Sequence, residues 1–371
     1  MSDPNPAAAP AQFRSLLRSF ALDPGPLTDH LLSADHHARV LTAEAGPTRD
    51  RIFTPLVTVA TFLGQVLSDD HSCQAAVDRL IAWRAARGLP PCSPDTGGSC
   101  KARQRLPEAL LPQLVRDSAD ALQDEAAAGW LVHGRRVVLA DGSTVSMPDT
   151  PENQREYPQH ANQKPGCGFP IARIVVLIAL ATGGVLDAAI GGGRGKLTGE
   201  HALFRRLHGR LRRGDILLAD SYFSSFDEVM LLRQMGVDVV MRPTGGRRTD
   251  FRRGRRLGRE DHLVEWHRSR NRPGWMSPAE FAALPRVMEM REVRVRVEQP
   301  GFRTRSLVVV TSLLDAEAFR RGELAGLYRA RWYAEVCQAD GIPRCGLYPS
   351  ARWARLTSLP DARFSVSSAV I

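Results

Sequence analysis

Apolar residues recur at helical spacing through the first third of the chain. In segments 54–67 and 73–87 they fall three and four positions apart, which predicts two amphipathic helices. The loop 88–100 is dense in Pro, Gly and Ser, and another helical pattern covers 106–127. We therefore predict a small helical domain over residues 1–130.

Short apolar runs replace the helical pattern after residue 131. They are rich in Val, Ile and Leu and end at turns or charged residues, which predicts β-strands. Amphipathic segments between them predict helices over 199–211 and 224–236. This alternation is typical of an α/β fold, and we assign residues 131–243 to the first part of an α/β core. The predicted strand segments are RRVVLADGS (135–143), ARIVVLIALATGGVLDAAI (172–190, a hairpin), DILLAD (215–220) and VDVVMR (237–242).

The rest of the chain is first basic and then strand-like. Residues 242–259 hold eight arginines and a single acidic residue, Asp250. Strand patterns follow at 287–299 and 304–314, and a helix is predicted over 316–336. The predicted divisions are a β-rich insertion with an arginine-rich loop (244–314) and a final segment with a core helix and an atypical tail (315–371).

The overall charge favours a polyanionic partner. The 371-residue chain carries 50 Lys and Arg against 40 Asp and Glu, for a net charge of +10. Nearly all of the basic residues are arginine, whose planar guanidinium binds two phosphate oxygens at once. Excess positive charge of this kind indicates nucleic acid or another polyanion.

Membrane and zinc functions are disfavoured. The most apolar stretch, 171–190, is interrupted by Arg173, Asp187 and the Gly183-Gly184 pair, so it is too short to span a bilayer. The six cysteines form no CxxC pair, so the cysteine half of a zinc module is lacking. We expect reduced thiols and a cytoplasmic protein that does not bind a membrane.

Carboxylates stand at positions where chemistry is expected. Asp141 and Asp220 each follow an apolar strand, and ligands of α/β sheets bind at the carboxyl ends of strands. Three carboxylates from two strands and one helix can hold two Mg²⁺ ions for phosphoryl transfer. The final predicted helix supplies four candidates at offsets 0, 3, 4 and 7, which share one face: Tyr328, Arg331, Trp332 and Glu335.

These motifs resemble those of DDE-type insertion-sequence transposases of the insertion-sequence-four-like family, whose signature is Tyr-x2-Arg-x3-Glu-x6-Lys. Tyr328, Arg331 and Glu335 match its first three positions. LADGSTVSMPDTPENQREYPQ resembles the family's first-Asp segment and LLADSYFSSF its second-Asp segment, with KPGCGFPIARIVVL and GKLTGEHALFRRL resembling the stretches between. The resemblance covers about residues 50–335. It implies an RNase H-like catalytic core with a β-rich insertion, preceded by a small helical domain.

The resemblance also implies roles for the matching residues. Asp141, Asp220 and Glu335 would be the catalytic, metal-binding triad for two Mg²⁺ ions, with Mn²⁺ as a substitute. Tyr328 and Arg331 would contact DNA near the scissile phosphate. The implied reaction is hydrolytic nicking at the element's end, followed by attack of the freed 3′-hydroxyl on a second phosphate. The implied partners are double-stranded DNA and a second copy of the chain, with the helical domain binding the DNA end and the protein associated with the nucleoid.

Further DNA contacts are predicted from the residues themselves. Trp332 is predicted to stack on a displaced base, as aromatic rings do in single-strand binding. The arginine-rich block has the density of a phosphate-binding footprint, but such a charge run is equally typical of a solvated, flexible loop. The candidate phosphate contacts are Arg247, Arg248, Arg252, Arg253, Arg255 and Arg256.

The chain departs from the signature after Glu335. The signature requires a lysine at position 342, where this chain has Ile342, and no lysine occurs anywhere in the remaining sequence. Pro343 also disfavours a helical conformation of the residue before it. We hypothesise that the reading frame shifts near residue 336, which would leave weak activity or none.

Three functions stay open. The leading interpretation is a transposase that cleaves and transfers DNA strands. The second is an RNase H-like nuclease without strand transfer, and the third is a non-catalytic remnant that binds DNA. Asp141 and Asp220 also have a simpler interpretation as turn or cap residues, since Asp is common there.

Overall fold

A computed structural model of the protein describes residues 52–68, 70–124, 126–160, 162, 164, 166–195, 197–296 and 306–339, with side chains for all of these except 67 and 332–339. The beginning of the predicted helical domain and the predicted atypical tail lie outside the described residues. The chain divides into two compact units, Met1–Ala121 and Leu122–Ile371. The four domain boundaries drawn from the sequence stay predictions.

The described part of the first unit is helical. Thr54 and Ser72 cap the first two helices, because their hydroxyls accept backbone N–H groups of Val57 and Ala75. One difference from the sequence prediction is that a short helix begins inside the predicted loop 88–100. Its Gly-Gly-Ser start has low helix propensity, so only the burial of residues within it favours the helix. The helices are α1 (Pro55–Leu67), α2 (Cys73–Ala86), α3 (Gly97–Gln104) and α4 (Leu110–Asp124).

The second unit is built on a mixed sheet of nine described strands. Its strands are β1 (Val137–Ser146), β2 (Ile171–Ala179), β3 (Val185–Gly192), β4 (Ile216–Leu218), β5 (Asp238–Met241), β6 (Arg255–Gly258), β7 (Asp261–His267), β8 (Val287–Arg296) and β9 (Ser306–Thr311). Its helices are α5 (Pro151–Glu156), α6 (Glu200–Arg206), α7 (Phe226–Gln234), α8 (Pro278–Ala283) and α9 (Arg321–Ala339).

The strand order is β3-β2-β1-β4-β5-β9-β8-β7-β6. The first three strands are antiparallel, β1, β4 and β5 are parallel, and β9 joins β5 in antiparallel pairing. The β-rich insertion therefore continues the core sheet. The apolar stretch 171–190 forms the β2–β3 hairpin as predicted, and no helix within the described residues is long and apolar enough to cross a membrane.

Two strands of the insertion, β6 and β7, were not predicted individually. Strand β6 begins with two exposed arginines and has no alternation of apolar and polar residues. A half-buried strand is recognised by that alternation, so the sequence did not predict β6. The segment is a strand because it pairs with β7, with Arg255 opposite Leu263 and Arg256 opposite His262. Long-range pairing of this kind cannot be read from local composition.

Helix α9 covers one face of the sheet. Leu324, Leu327 and Tyr328 are almost completely buried in a core shared with strands of both the core and the insertion. The helix begins at Arg321 instead of the predicted residue 316, because the Asp315 carboxylate accepts the backbone N–H groups of residues 317 and 318 and holds a turn. It also continues to Ala339, three residues beyond the predicted end. The sheet residues of this core include Val137, Leu139, Ile216, Leu218, Val293 and Val309.

We expect Leu327→Ala to lower the free energy of unfolding by about 2–5 kcal/mol, because the leucine is fully buried and its removal leaves a cavity. Leu197→Ala is the matched control, since Leu197 is 72% exposed and its loss should change stability by less than about 0.5 kcal/mol. Urea unfolding measures both. Equal effects would contradict the placement of α9 on the sheet.

Candidate active site

The register between β1 and β4 brings the two predicted aspartates together. These strands are parallel, with Val137 opposite Ile216 and Leu139 opposite Leu218. The same register carried two residues further places Asp141 opposite Asp220, on neighbouring strands about 4.8 Å apart. Asp220 keeps an extended backbone (φ −78°, ψ −177°) two residues past the last paired residue of β4, so the chain still runs in the strand direction there.

Both aspartates face the side of the sheet that α9 covers. Side chains alternate along a strand, so Asp141 points the same way as Leu139 and Asp220 the same way as Leu218. Leu139 and Leu218 belong to the core cluster that includes Tyr328 of α9. The carboxylates therefore extend this apolar face at its polar end, where both residues are half-buried.

Local backbone groups orient each carboxylate. The backbone N–H of Gly142 donates to Oδ1 of Asp141 at 3.0 Å, and that of Tyr222 donates to Oδ1 of Asp220 at 2.8 Å. Asp220 thereby caps the 3-10 turn Ser221–Phe223. A capping role and a position at the strand end thus coexist in Asp220.

Tyr328 and Arg331 are buried on α9, and Tyr328 lies close enough to Asp220 to feel its charge. Tyr328 is 1% exposed, Arg331 is 7% exposed, and the guanidinium carbon lies 5.5 Å from the tyrosine ring centroid. Burial raises the pKa of the Tyr328 phenol; the nearby Asp220 raises it further, while Arg331 and Arg242 act in the opposite direction. Tyr328 therefore stays protonated at neutral pH and keeps its O–H donor.

Arg242 completes this group and was not among the residues selected from the sequence. It follows β5 directly and acts electrostatically on Tyr328. Its signal in the sequence was the same as that of the two predicted aspartates, a charged residue immediately after an apolar strand. Because Arg242 is also the first residue of the arginine-rich block, it was considered only as part of that block.

Glu335 lies on α9, seven residues after Tyr328 on the same helical face and about 10 Å further along the axis. The side chains of Glu335 and Trp332 lie outside the described residues. The beginning of α9 is fixed near the turn before β1, because His133 Nε2 lies 2.6 Å from Oε1 of Glu323. The helix therefore runs towards the strand ends that carry the aspartates.

Of the predicted triad, the structure brings Asp141 and Asp220 together as a pair. In the part of the chain with described side chains, no group of three His, Cys, Asp or Glu residues is arranged to hold a metal ion. For the third member, Glu335, the structure describes only the backbone position in α9.

Gly142 permits a close approach that the sequence did not reveal. A Cβ atom at this position would lie 2.9 Å from the carboxyl carbon of Glu200, so only glycine fits without displacing that side chain. Glu200 begins α6 and lies 3.8 Å from the Arg173 guanidinium. An acidic side chain thus packs against the residue next to Asp141.

A buried acidic residue anchors the helices beside the Asp220 turn. Glu228 is fully buried, with Arg205 Nη1 and His208 Nε2 each 2.9 Å from its carboxylate and His201 Nδ1 at 3.7 Å. Burial acts to raise the pKa of Glu228, but the close imidazoles of His201 and His208 and the charge of Arg205 outweigh it and hold the pKa at about 2. The ring of His201 stacks on Tyr222 of the turn, with centroids 4.4 Å apart.

The arginine-rich segment is fixed against β7. Gly254 has φ +75°, and a Cβ there would lie 2.0 Å from the carbonyl oxygen of Leu263. A ring nitrogen of His262, Nδ1, lies 2.7 Å from the carbonyl oxygen of Arg253. We call residues 252–256 the arginine turn. Its contacts distinguish it from the flexible loop that the sequence left open.

The six candidate arginines differ in exposure. The Arg247 guanidinium lies 3.8 Å from the centroid of the Trp266 ring, and burial lowers its pKa while Glu292 raises it. Arg247 therefore makes its contacts largely within the insertion. The other five are exposed: Arg248, Arg252, Arg253, Arg255 and Arg256.

The strand order is β3-β2-β1-β4-β5, with three antiparallel strands followed by two parallel additions. Asp141 lies within β1, which continues to Ser146 instead of ending at the aspartate as predicted, and Asp220 lies just after β4. This arrangement is consistent with an RNase H-like core that carries a β-rich insertion. This is the fold class that the sequence predicted. A family model described as "Transposase DDE domain" matches residues 132–337, which is just over half of the chain. The chain belongs to this family.

One curated relative is "Putative transposase InsZ" of Escherichia coli (strain K12), which is 32% identical over 141 residues. The similarity covers 37% of this chain and 45% of that protein, so the chain spans less than half the length of the relative. The matched family segment contains Asp141, Asp220, Tyr328, Arg331 and Glu335.

Glu228→Gln tests the buried anchor beside the Asp220 turn. Because the folded pKa of about 2 lies below the ordinary value of 4.5, the carboxylate stabilises the fold above pH 4.5 and loses this effect as the pH falls towards 2. The stability difference between wild type and variant should therefore shrink by about 3 kcal/mol across this window. Urea unfolding at several pH values measures it, with Glu289→Gln on the exposed side of β8 as the control. A difference that does not change with pH would contradict this assignment.

Proposed function

We propose that this protein is the DNA transposase of an insertion sequence, which cleaves DNA strands with divalent metal ions and transfers the freed end to a second site. The observation that carries the proposal is the parallel register that sets Asp141 beside Asp220 under the helix that bears Glu335. Family membership supports it, since the matched segment contains all three carboxylates.

The donor set fits a divalent metal of the Mg²⁺ type. Asp141 and Asp220 supply hard carboxylate oxygens from neighbouring rigid strands, both half-buried and within reach of solvent. Glu335 is the proposed third ligand. When bound, Mg²⁺, or Mn²⁺ in its place, would supply Lewis acidity and activate the attacking hydroxyl.

The remaining residues bind and orient the DNA. Arg331 and Arg242 place positive charge around Tyr328, which also feels the charge of Asp220, and this positive charge would offset the repulsion between Asp220 and a phosphate. The protonated Tyr328 phenol is a hydrogen-bond donor for a phosphate oxygen. We assign to Trp332 the stacking role that the sequence predicted for it.

The exposed arginine turn is the proposed contact with the DNA backbone away from the reacting phosphate. The backbone of this turn is held by contacts with β7, so less backbone freedom is lost on binding than from a flexible loop. Family resemblance further proposes a homodimer across two DNA ends, end recognition by the helical unit, and association with the nucleoid.

A second candidate function is a transposase remnant that binds DNA without cleaving it. It is favoured by Ile342 at the signature's lysine position and by the end of the family match at residue 337, two residues after Glu335. Both observations support a frame shift near residue 336. Another reading frame that continues the helix with a lysine seven residues after Glu335 would establish it.

We expect Asp141→Asn to reduce Mg²⁺-dependent nicking by roughly a thousandfold or more, because it removes a charged metal ligand. The substrate is duplex DNA with the genomic sequence that flanks the coding region on either side, and cleavage is followed on denaturing gels. Asp149→Asn is the control, since Asp149 is exposed in the loop after β1.

Products distinguish the candidate functions. Joined strands identify the transposase, and nicks alone identify a nuclease. DNA binding without any cleavage by the wild type identifies the remnant. Cleavage that persists in Asp141→Asn would contradict the assignment of this residue.

Charge reversal of Arg252, Arg253, Arg255 and Arg256 to Glu should weaken DNA binding and make it less dependent on salt. If all four contact phosphates, the slope of log K against log salt should fall in magnitude by about 3 to 4. Fluorescence anisotropy at several salt concentrations measures the slope. The control reverses four exposed arginines on other elements, Arg155, Arg213, Arg286 and Arg296. An unchanged slope would refute contact by the arginine turn.

A further inference from the structure

The tip of the β6–β7 hairpin contacts the first residue of helix α9. The Arg321 guanidinium, on the first residue of the helix, donates to the carbonyl oxygen of Arg259 at 2.9 Å and lies 3.8 Å from the Glu260 carboxylate. Glu260 also pairs with Arg294 of β8 at 2.9 Å. We call residues 259–261 the hairpin tip.

A buried pair extends the same connection. Arg291 is 1% exposed and binds the Asp261 carboxylate through two nitrogens, at 2.6 and 2.8 Å. Its third nitrogen donates to the carbonyl oxygen of Phe319 at 2.7 Å, two residues before the helix. A bidentate guanidinium fixes orientation as well as distance, so the tip and the start of α9 are held rigidly.

Glu260 stands where glycine is the easier residue. Its φ is +57°, in the left-handed region that costs energy for a residue with a Cβ atom. The strained residue is also the one whose carboxylate pairs with Arg294 and Arg321. A glycine at this position would relieve the strain but would lose both ion pairs.

The same hairpin carries the arginine turn on its other arm. Arg255 and Arg256 lie on β6, which leads directly into the hairpin tip. Helix α9 carries Tyr328, Arg331 and Glu335 beyond its anchored start. One short, rigid hairpin thus connects the proposed DNA-backbone contact to the helix of the candidate active site.

We propose that the hairpin tip is a positioning element, in which Glu260 and Arg321 transmit DNA binding at the arginine turn to the placement of helix α9 and hence of its active-site residues. This inference rests on the proposed function and adds to it. DNA bound on β6 holds the hairpin tip in place and thereby stabilises the position of the helix that must bring Glu335 to the aspartates. In this proposal the tip acts through α9 and not by contact with the metal or the reacting phosphate.

The test uses Arg321→Met and Glu260→Gly in the full chain. Arg321 is about one-third exposed, and such surface pairs contribute little to stability, so the first variant should fold. Glu260→Gly removes the carboxylate and relieves the strained backbone, so it should keep or gain stability. Arg321→Lys is the rescue variant, and Arg320→Met removes the neighbouring exposed arginine as the control.

Hydrogen exchange of the α9 amides is measured with and without the flanking-sequence duplex. In the wild type, in Arg320→Met and in Arg321→Lys, DNA should slow exchange in α9. In Arg321→Met and Glu260→Gly that protection should be lost, while the affinity for the duplex stays within twofold of wild type. Protection that is equal in all variants, or absent from the wild type, would overturn the inference.

Cleavage separates this inference from the proposed function. We expect single-turnover nicking by Arg321→Met and Glu260→Gly to fall roughly ten- to a hundredfold, as for remote changes that displace a reacting group. The Mg²⁺ concentration for half-maximal rate should rise, because the proposed third ligand is displaced. Wild-type rates in both variants would overturn the inference and leave the proposed function intact. A wild type that never nicks would overturn the catalytic proposal, and the exchange experiment would still decide the role of the hairpin tip.

Discussion

The parallel pairing of β1 with β4 is the constraint on which the candidate site depends. Each strand places the same number of apolar residues before its aspartate, so in-register pairing sets Asp141 beside Asp220. A slip of one residue would turn one carboxylate to the opposite face of the sheet, because side chains alternate along a strand. Residues 137–140 and 216–219 are buried on both faces of the sheet, so such a slip would misfit side chains on both faces and move a charged residue into the core. Core packing therefore also fixes the relative position of the two acidic groups.

The insertion contributes to the same structure as the core. Its strands continue the core sheet through the pairing of β9 with β5, and its apolar residues share one cluster with helix α9. A surface that presents arginines is thus joined by a continuous sheet and a shared helix to the face that bears the aspartates. Ion pairs at the hairpin tip complete this connection at the first turn of α9. The proposed DNA contact and the candidate catalytic residues therefore lie on one connected framework.

Much of this arrangement could be predicted from the sequence. Apolar runs predicted the core strands, because that signal is local. The position of Asp141 and Asp220 after two of these runs favoured a site there, the family resemblance assigned it, and the site stays a prediction. Strand β6 was missed, since its exposed arginines carry no alternating pattern and only pairing with β7 makes it a strand. Arg242, Gly142 and the Glu228 cluster were missed because their roles depend on contacts between distant segments. The helix start was misplaced by the turn that Asp315 holds, which competes with helix formation through side-chain hydrogen bonds.

The central claim is that Asp141 and Asp220 form one divalent-metal site. Electron paramagnetic resonance of Mn²⁺ added to the full chain tests it without requiring catalysis or a known DNA sequence. Wild type should hold a Mn²⁺ ion that Asp141→Asn and Asp220→Asn each release on their own, because both carboxylates bind the same ion. Asp149→Asn should hold the ion as wild type does. Retention of the bound ion in either single variant of the pair would contradict the shared site and, with it, the catalytic role drawn from the register.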